Sequence, residues 1–374
     1  MAKWNTQNTY FFLFDVGRGF CSFLRLPLNI GILYDCGKLN DFNPLDFVKN
    51  NILPYLSKFK NYNLAQFLIS HPHLDHISGL KYVKENWNTA FYTCLLTCPH
   101  DKEPLEGYED ERLDWSRVNN PESDFSNEII AIYKGLYKDR NLPLQTIQYL
   151  ENRYIPNLEY GLYYVRPPKC AEIFPDNNST DNQNYTNSTS LLLWYRHGKN
   201  TLLLPGDITP EAMSVILNEE EGIEKRFSKL QRSEAEKNPE WHRKTLDQPP
   251  LRKLLKEHGL SILVAPHHGL ESSYSEELYD AIKDNKPLLV LISEKRHSSQ
   301  NDGEVCSIYK SSNGAKGLKV EIEGEITERY SLSTRNGHHI LVVFKSSGNP
   351  EVYAYKEPQK LIEIINKKYE NIGD

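Results

Sequence analysis

Between residues 70 and 76 the chain reads Ser-His-Pro-His-Leu-Asp-His, which sets His71, His73, Asp75 and His76 within six consecutive positions. Twelve histidines in 374 residues will produce some chance neighbours, and His267–His268 and His338–His339 are adjacent too. Context separates the first cluster from chance. Leu64–Ser70 is an apolar run rich in strand-compatible residues, and Ile77–Asn86 opens as a helix does, so the histidines fall on a strand-to-helix loop. Loops held by rigid elements are where chemistry concentrates, and neutral imidazole with carboxylate is a donor set that suits zinc, manganese or iron. A polar cluster taken out of water needs a partner charge. A metal ion supplies one.

The length allows one large domain or two ordinary ones, and 39% hydrophobic residues with 11% aromatic are ample for a packed core. A net charge of −6 argues against a broadly basic nucleic-acid coat, while leaving room for a local basic groove beside cationic metals. Six cysteines lack the density of a disulfide scaffold, and the opening MAKWNTQNTY holds no apolar signal core. A reducing cytoplasm is the expected home. Cys94 and Cys98, with no second pair at zinc-finger spacing, read as buried thiols. No apolar stretch approaches the roughly 20 residues needed to cross a bilayer, so no membrane partner is expected.

Along the chain, Thr9–Lys38 alternates short aromatic and β-branched runs with Gly, Pro and Asn, which predicts a strand meander. Residues 43–59 read as helical. Leu191–Asp207 predicts a hairpin turning at Gly198, Ser261–Gly269 and Pro287–Ser293 predict further strands, and His338–Tyr355 a second hairpin. Stretches 82–160 and 209–258 are charged, helix-leaning and poor in strand signal. Pro175–Ser190 is polar and low in complexity and reads as a flexible loop. A short helix near the C-terminus closes an α/β sandwich. His100, His197, His242 and His258, in turns or charged helices, read as surface residues.

Polar points follow four other apolar runs: Asp15 in DVGRG, Asp35 in YDCGK, Asp207 in LLPGD, and His267 with His268 in APHHG. Strand ends on one sheet edge bring such side chains together. His71 and His73 are two apart, so in an extended loop they point the same way; Asp75 and His76 complete a second set once the chain turns into the helix. Asp207 could bridge. Two ions about 3.5–4 Å apart acidify a water and stabilise attacking and leaving oxygens together. Asp15 and Asp35 are also placed to satisfy turn backbone, as Asp near Gly does.

The order DVGRG, YDCG, SHPHLDH, LLPGD, PHHG resembles the metallo-β-lactamase superfamily, with its His-x-His-x-Asp-His loop, from about Phe12 to Tyr355. The flanking motifs are most similar to the soluble hydrolase domain of the ComEC competence family and its stand-alone relatives. The resemblance implies an α/β αββα sandwich over residues 1–356, with helical insertions at about 82–160 and 209–258 and a C-terminal helix or tail over 357–374. It implies two divalent metal ions, zinc or manganese. His71 and His73 would hold one, Asp75 and His76 the other, with Asp207 between them and His268 as the last ligand. His267 would lie behind that ligand or on a substrate phosphate, and Asp35 would fix an imidazole tautomer. Asp75, His267 and His297 are the residues the resemblance sets in the reaction. Where most of the superfamily has a further His, this chain has Asn187 to Ser190, as ComEC-like proteins do. Arg18 stands where relatives have Gln, and is a phosphate contact or a solvated turn arginine.

The implied activity is metal-dependent hydrolysis of a phosphodiester by a nuclease or nucleotide phosphodiesterase, with a nucleic acid or nucleotide as substrate. A role in a bacterial multi-gene defence system, with partner proteins on the helical insertions, is a further implication. Ester or thioester hydrolysis on the same centre is the alternative enzyme class. A metal-stabilised sensor or assembly subunit without turnover is the alternative outside enzymes.

Overall fold

The computed structural model describes residues 4–17, 19–27, 30–38, 42–55, 64–87, 95–99, 112–138, 158–218, 249–294 and 304–369. The expected meander is present as β1 (Thr9–Leu13), β2 (Ser22–Leu26) and β3 (Ile30–Tyr34), paired antiparallel with Phe12 opposite Phe23 and Phe23 opposite Leu33. β4 (Gln66–Leu68) and β5 (Leu95–Thr97) continue it in parallel. The second sheet contains β6 (Leu158–Tyr163), β7 (Leu192–His197), β8 (Asn200–Leu204), β9 (Ile262–Val264) and β10 (Leu289–Ile292). Later strands are shared out: β11 (Leu318–Ile322), β12 (Glu325–Arg329), β14 (His339–Phe344) and β15 (Glu351–Tyr355) join the first sheet, and β13 (Ser331–Ser333) the second. The orders are β12-β11-β15-β14-β1-β2-β3-β4-β5 and β13-β10-β9-β8-β7-β6.

The central strands read as continuous apolar runs because both faces of the sheets are covered there, whereas β12 at the edge of the first sheet is exposed. Phe11, Leu13, Leu24, Ile32 and Tyr34 of one sheet meet Leu193, Tyr195, Leu202, Leu204, Val264 and Leu291 of the other. Outside the first sheet, Phe12, Phe23 and Leu341 pack with α1 (Pro44–Asn51), α3 (Leu80–Asn86), α4 (Asp124–Lys138) and α10 (Pro358–Lys368). Outside the second, Leu192, Trp194 and Leu263 pack with α5 (Pro167–Ile173), α6 (Ser179–Ser188), α7 (Pro210–Asn218), α8 (Leu251–His258) and α9 (Glu276–Ala281). Helix, sheet, sheet, helix is the order of layers. The mixed α/β architecture is consistent with the metallo-β-lactamase fold. Among the described residues, no helix is long and apolar enough to cross a membrane.

Three expectations need correction. The polar run 175–190 is not a flexible loop: Asn178 caps α6 by accepting from the Asp181 N–H, and Tyr185 to Ser188 are buried. His197 is not on the surface; it is fully buried beneath Thr9, where the sheets meet. The stretch 82–160 contributes β5 and the start of β6 as well as helix. Residues 219–248, and with them His242, lie outside the described residues, as does His100.

Candidate metal centre

Four strand ends deliver the site. The chain leaves β4 at Ser70, whose carbonyl accepts from the Leu191 N–H across the sheets at 3.0 Å. It then runs extended to His73 and turns into α2 (Leu74–Ile77). No side chain within the helix caps it; Asn120, from the segment preceding α4, accepts from the Leu74 N–H at 2.8 Å and donates to the Pro72 carbonyl at 3.0 Å. β3 runs into Asp35, β8 into Gly206–Asp207, and β9 into His267–His268.

These turns leave no slack. Gly206 has φ +61°, and a Cβ there would lie 2.9 Å from the Ser70 Cβ and 3.1 Å from that of Ser190. His267 and His268 adopt φ +45° and +59°, left-handed conformations that cost a non-glycine residue about 1–2 kcal/mol each. The His267 N–H donates to the Gly206 carbonyl at 3.1 Å, which ties the two turns together.

The side chains converge. His71 Nε2 is 3.0 Å from His73 Nδ1 and 3.9 Å from Asp207 Oδ2. His76 Nε2 lies 3.3 Å from Asp207 Oδ1, and His268 Nε2 lies 3.6 Å from Asp75 and 3.5 Å from Asp207. Two groups have ligand atoms mutually within 4.8 Å: His71, His76 and Asp207, and Asp75, His76 and His268. This pairing differs from that implied by the resemblance, since His76 stands in both groups. His267 lies at the edge, its Nε2 3.8 Å from Asp207.

A second layer orients the ligands. Asp35, buried and at φ +56°, accepts from the Ser70 N–H and hydroxyl at 2.7 Å each and holds His76 Nδ1 at 2.8 Å, leaving Nε2 to face the centre. Ser70 Oγ and Ser190 Oγ lie 3.0 and 3.3 Å from His71 Nδ1, and the Asp207 N–H donates to Ser190 Oγ. His268 Nδ1 is anchored on the Ser293 carbonyl at 3.0 Å. Asn187 is buried in the last turn of α6, and neither atom of its amide makes a hydrogen bond. Asp15 takes the turn position, accepting from the Gly17 N–H at 3.1 Å. Arg18 and His297 lie outside the described residues.

The charges follow. Burial and the neighbouring His76 hold the His71 imidazole well below its ordinary pKa, and burial takes His73 down to about 4. Burial also works against charge on His76, but Asp207 and Asp35 outweigh it and raise that imidazole well above the usual range. Burial opposes ionisation of Asp207, yet the imidazoles around it, His76 first, hold the carboxyl well below its usual value.

A divalent cation fits this set. The Nε2 atoms of His76 and His268 are buried without a hydrogen bond, although carboxylate oxygens lie 3.3–3.6 Å away. Imidazole nitrogens aimed between carboxylates and unsatisfied by them are what a cation's coordination shell requires. His71, His76 and Asp207, or Asp75, His76 and His268, could hold it, whereas the expected ligand His73 is in neither group. Beside them opens a cavity of about 550 Å³, lined among others by His73, Asp75, Asp207, His267 and Lys38. Ser70, Ser293, Asn120 and Lys38 escape a sequence reading; Ser70 alone carried a signal, its place directly before the first histidine.

Residues 15–144 match the family model of the metallo-β-lactamase superfamily, whose members are mostly metal-dependent hydrolases. That span runs from Asp15 through Asp35 and the histidine loop to α4. Asp207 and His268 lie beyond it, joined to it in space. No curated protein matches the chain.

Proposed function

We propose that the chain is a metal-dependent phosphodiesterase, cutting nucleic acid or a nucleotide with two divalent cations, zinc or manganese, held by His71, His73, Asp75, His76, Asp207 and His268. The observation that carries the choice of phosphate is Lys38. It lines the cavity beside His73, Asp75 and Asp207, and it forms no ion pair with any described carboxylate. A cation without an internal counter-charge beside a metal centre suits an anionic ester better than a neutral one. When bound, the metal ions would supply Lewis acidity and a water acidified toward neutral pH.

The chain's own groups do the rest. Asp35 and Ser70 hold the His76 ring, and the Ser293 carbonyl holds that of His268. His267 lines the cavity, and burial lowers its pKa, so the neutral ring is suited to hydrogen-bond a phosphate oxygen or take up a proton. Among the described residues, Cys21, Cys36, Cys98, Cys170 and Cys306 are buried and form no disulfide, which supports a reducing compartment.

The test is a substrate panel on the purified chain with manganese or zinc: DNA, RNA, cyclic nucleotides, a chromogenic phosphodiester and a chromogenic carboxylic ester. Phosphodiester turnover should be abolished by chelation and fall at least about 100-fold in His76→Ala. Cleavage of the carboxylic ester alone would remove the assignment to phosphate. Unchanged turnover in the variant would remove the centre itself.

A further inference from the structure

The cavity beside the metal centre has a far wall built from outside the histidine loop. Asn119 and Asn120 come from the segment before α4, Phe125 from the first turn of α4, and Gln183 from α6. Along α4 the apolar positions 125, 129, 133 and 136 follow helical spacing, and Ile129, Tyr133 and Leu136 are buried in the core. Phe125 continues that stripe past the core edge. It is 45% exposed and lines the cavity.

The polar wall divides by role. Asn120 is committed to the histidine loop through Leu74 and Pro72, so it positions the wall. The side-chain amides of Asn119 and Gln183 hydrogen-bond to no described residue, and each offers two donors and an acceptor. Lys38 is the only Lys or Arg among the described lining residues. A strand tracked along its length needs a row of cations, whereas about 550 Å³ lies within the range of small-molecule sites.

We propose that this wall is a nucleoside subsite. The base stacks on Phe125, Asn119 and Gln183 read its edge, and Lys38 and His267 face its phosphate. The substrate is then a nucleotide presented singly, in a dinucleotide or at the end of a single strand, not the interior of a duplex. The proposal rests on the phosphodiesterase reading of the same centre.

Calorimetry on the full chain loaded with manganese tests it, using the four common 5′-mononucleotides and ribose 5-phosphate as probes. At least one mononucleotide should bind more tightly than ribose 5-phosphate. Phe125→Ala should weaken that nucleotide about 5- to 100-fold while sparing ribose 5-phosphate, and Phe125→Trp should restore it. Equal affinities for nucleotide and sugar phosphate, or equal losses for both in Phe125→Ala, overturn the subsite. Competition separates the sources: a single strand should displace the mononucleotide, and a blunt duplex that does so equally well overturns the restriction to single ends. Turnover of bis(4-nitrophenyl) phosphate is followed in parallel. Base-dependent binding without that turnover keeps the subsite and removes the phosphodiesterase reading; turnover with base-independent binding does the reverse.

Discussion

Asp35 shows how one residue can carry both roles its sequence context offers. Its left-handed backbone is turn chemistry, and its carboxylate gathers two donors from Ser70 together with the His76 ring. Asn tolerates the same φ but offers a single acceptor oxygen, and its amide nitrogen would face a donor. Asp35→Asn should therefore fold, release the His76 ring, and bind zinc about 10- to 100-fold more weakly in competition with a chromophoric chelator. An unchanged affinity would mean that Asp35 only shapes the turn. The five residues of the two ligand groups, His71, Asp75, His76, Asp207 and His268, were legible as candidates because imidazoles and carboxylates stand at the ends of apolar runs. Ser70, Ser293 and Asn120 were not, because a hydroxyl, a carbonyl and an amide acquire their roles only from what the fold sets beside them.

Among the elements, α6 departs furthest from its sequence. STDNQNYTNS has no apolar stripe, yet Tyr185, Thr186, Asn187 and Ser188 are buried in succession, as happens when a helix end is plugged into a structure rather than laid along it. Arg117 holds it there. Its guanidinium donates to Asn182 and to the Phe174 and Asp176 carbonyls, stands 4.5 Å from the Tyr185 ring centroid, and the Thr186 hydroxyl donates to its carbonyl. No local pattern encodes a clamp between residues 117 and 182. Arg117→Ala leaves the buried Phe174 carbonyl without its donor and removes the contact with the Tyr185 ring, and should cost about 2–4 kcal/mol in urea unfolding. Amide exchange should quicken across residues 179–188 well before it does in β1. If α6 exchanges as in the parent chain, Arg117 is not what holds it.

At the scale of the whole molecule, stability depends on two sheets that meet through an almost entirely apolar interface, which the alternation of apolar runs and turns made legible. Its polar exception was not, because His197 sits at the end of a hairpin strand where a surface residue is the ordinary expectation. The Thr9 hydroxyl on β1 is shared by Tyr195 and by His197 Nδ1 at 3.1 Å, and His197 Nε2 has no hydrogen-bond partner. Protonation would make both nitrogens donors inside the interface, and burial accordingly lowers the His197 pKa from 6.5 to about 4. The folded value lies below the unfolded one, so the unfolded chain binds the extra proton in this window. The contribution is complete above pH 6.5 and is lost as the pH falls toward 4. Other groups titrate over the same range, so the comparison must be with a chain lacking this one. Between pH 7.5 and 4.5, the parent should lose about 2 kcal/mol more than His197→Gln in urea unfolding, with chelator present to keep the metal centre out of the difference. Parallel losses in the two proteins would mean that the proton enters the folded interface without penalty, and that the sheets are not sealed at this end.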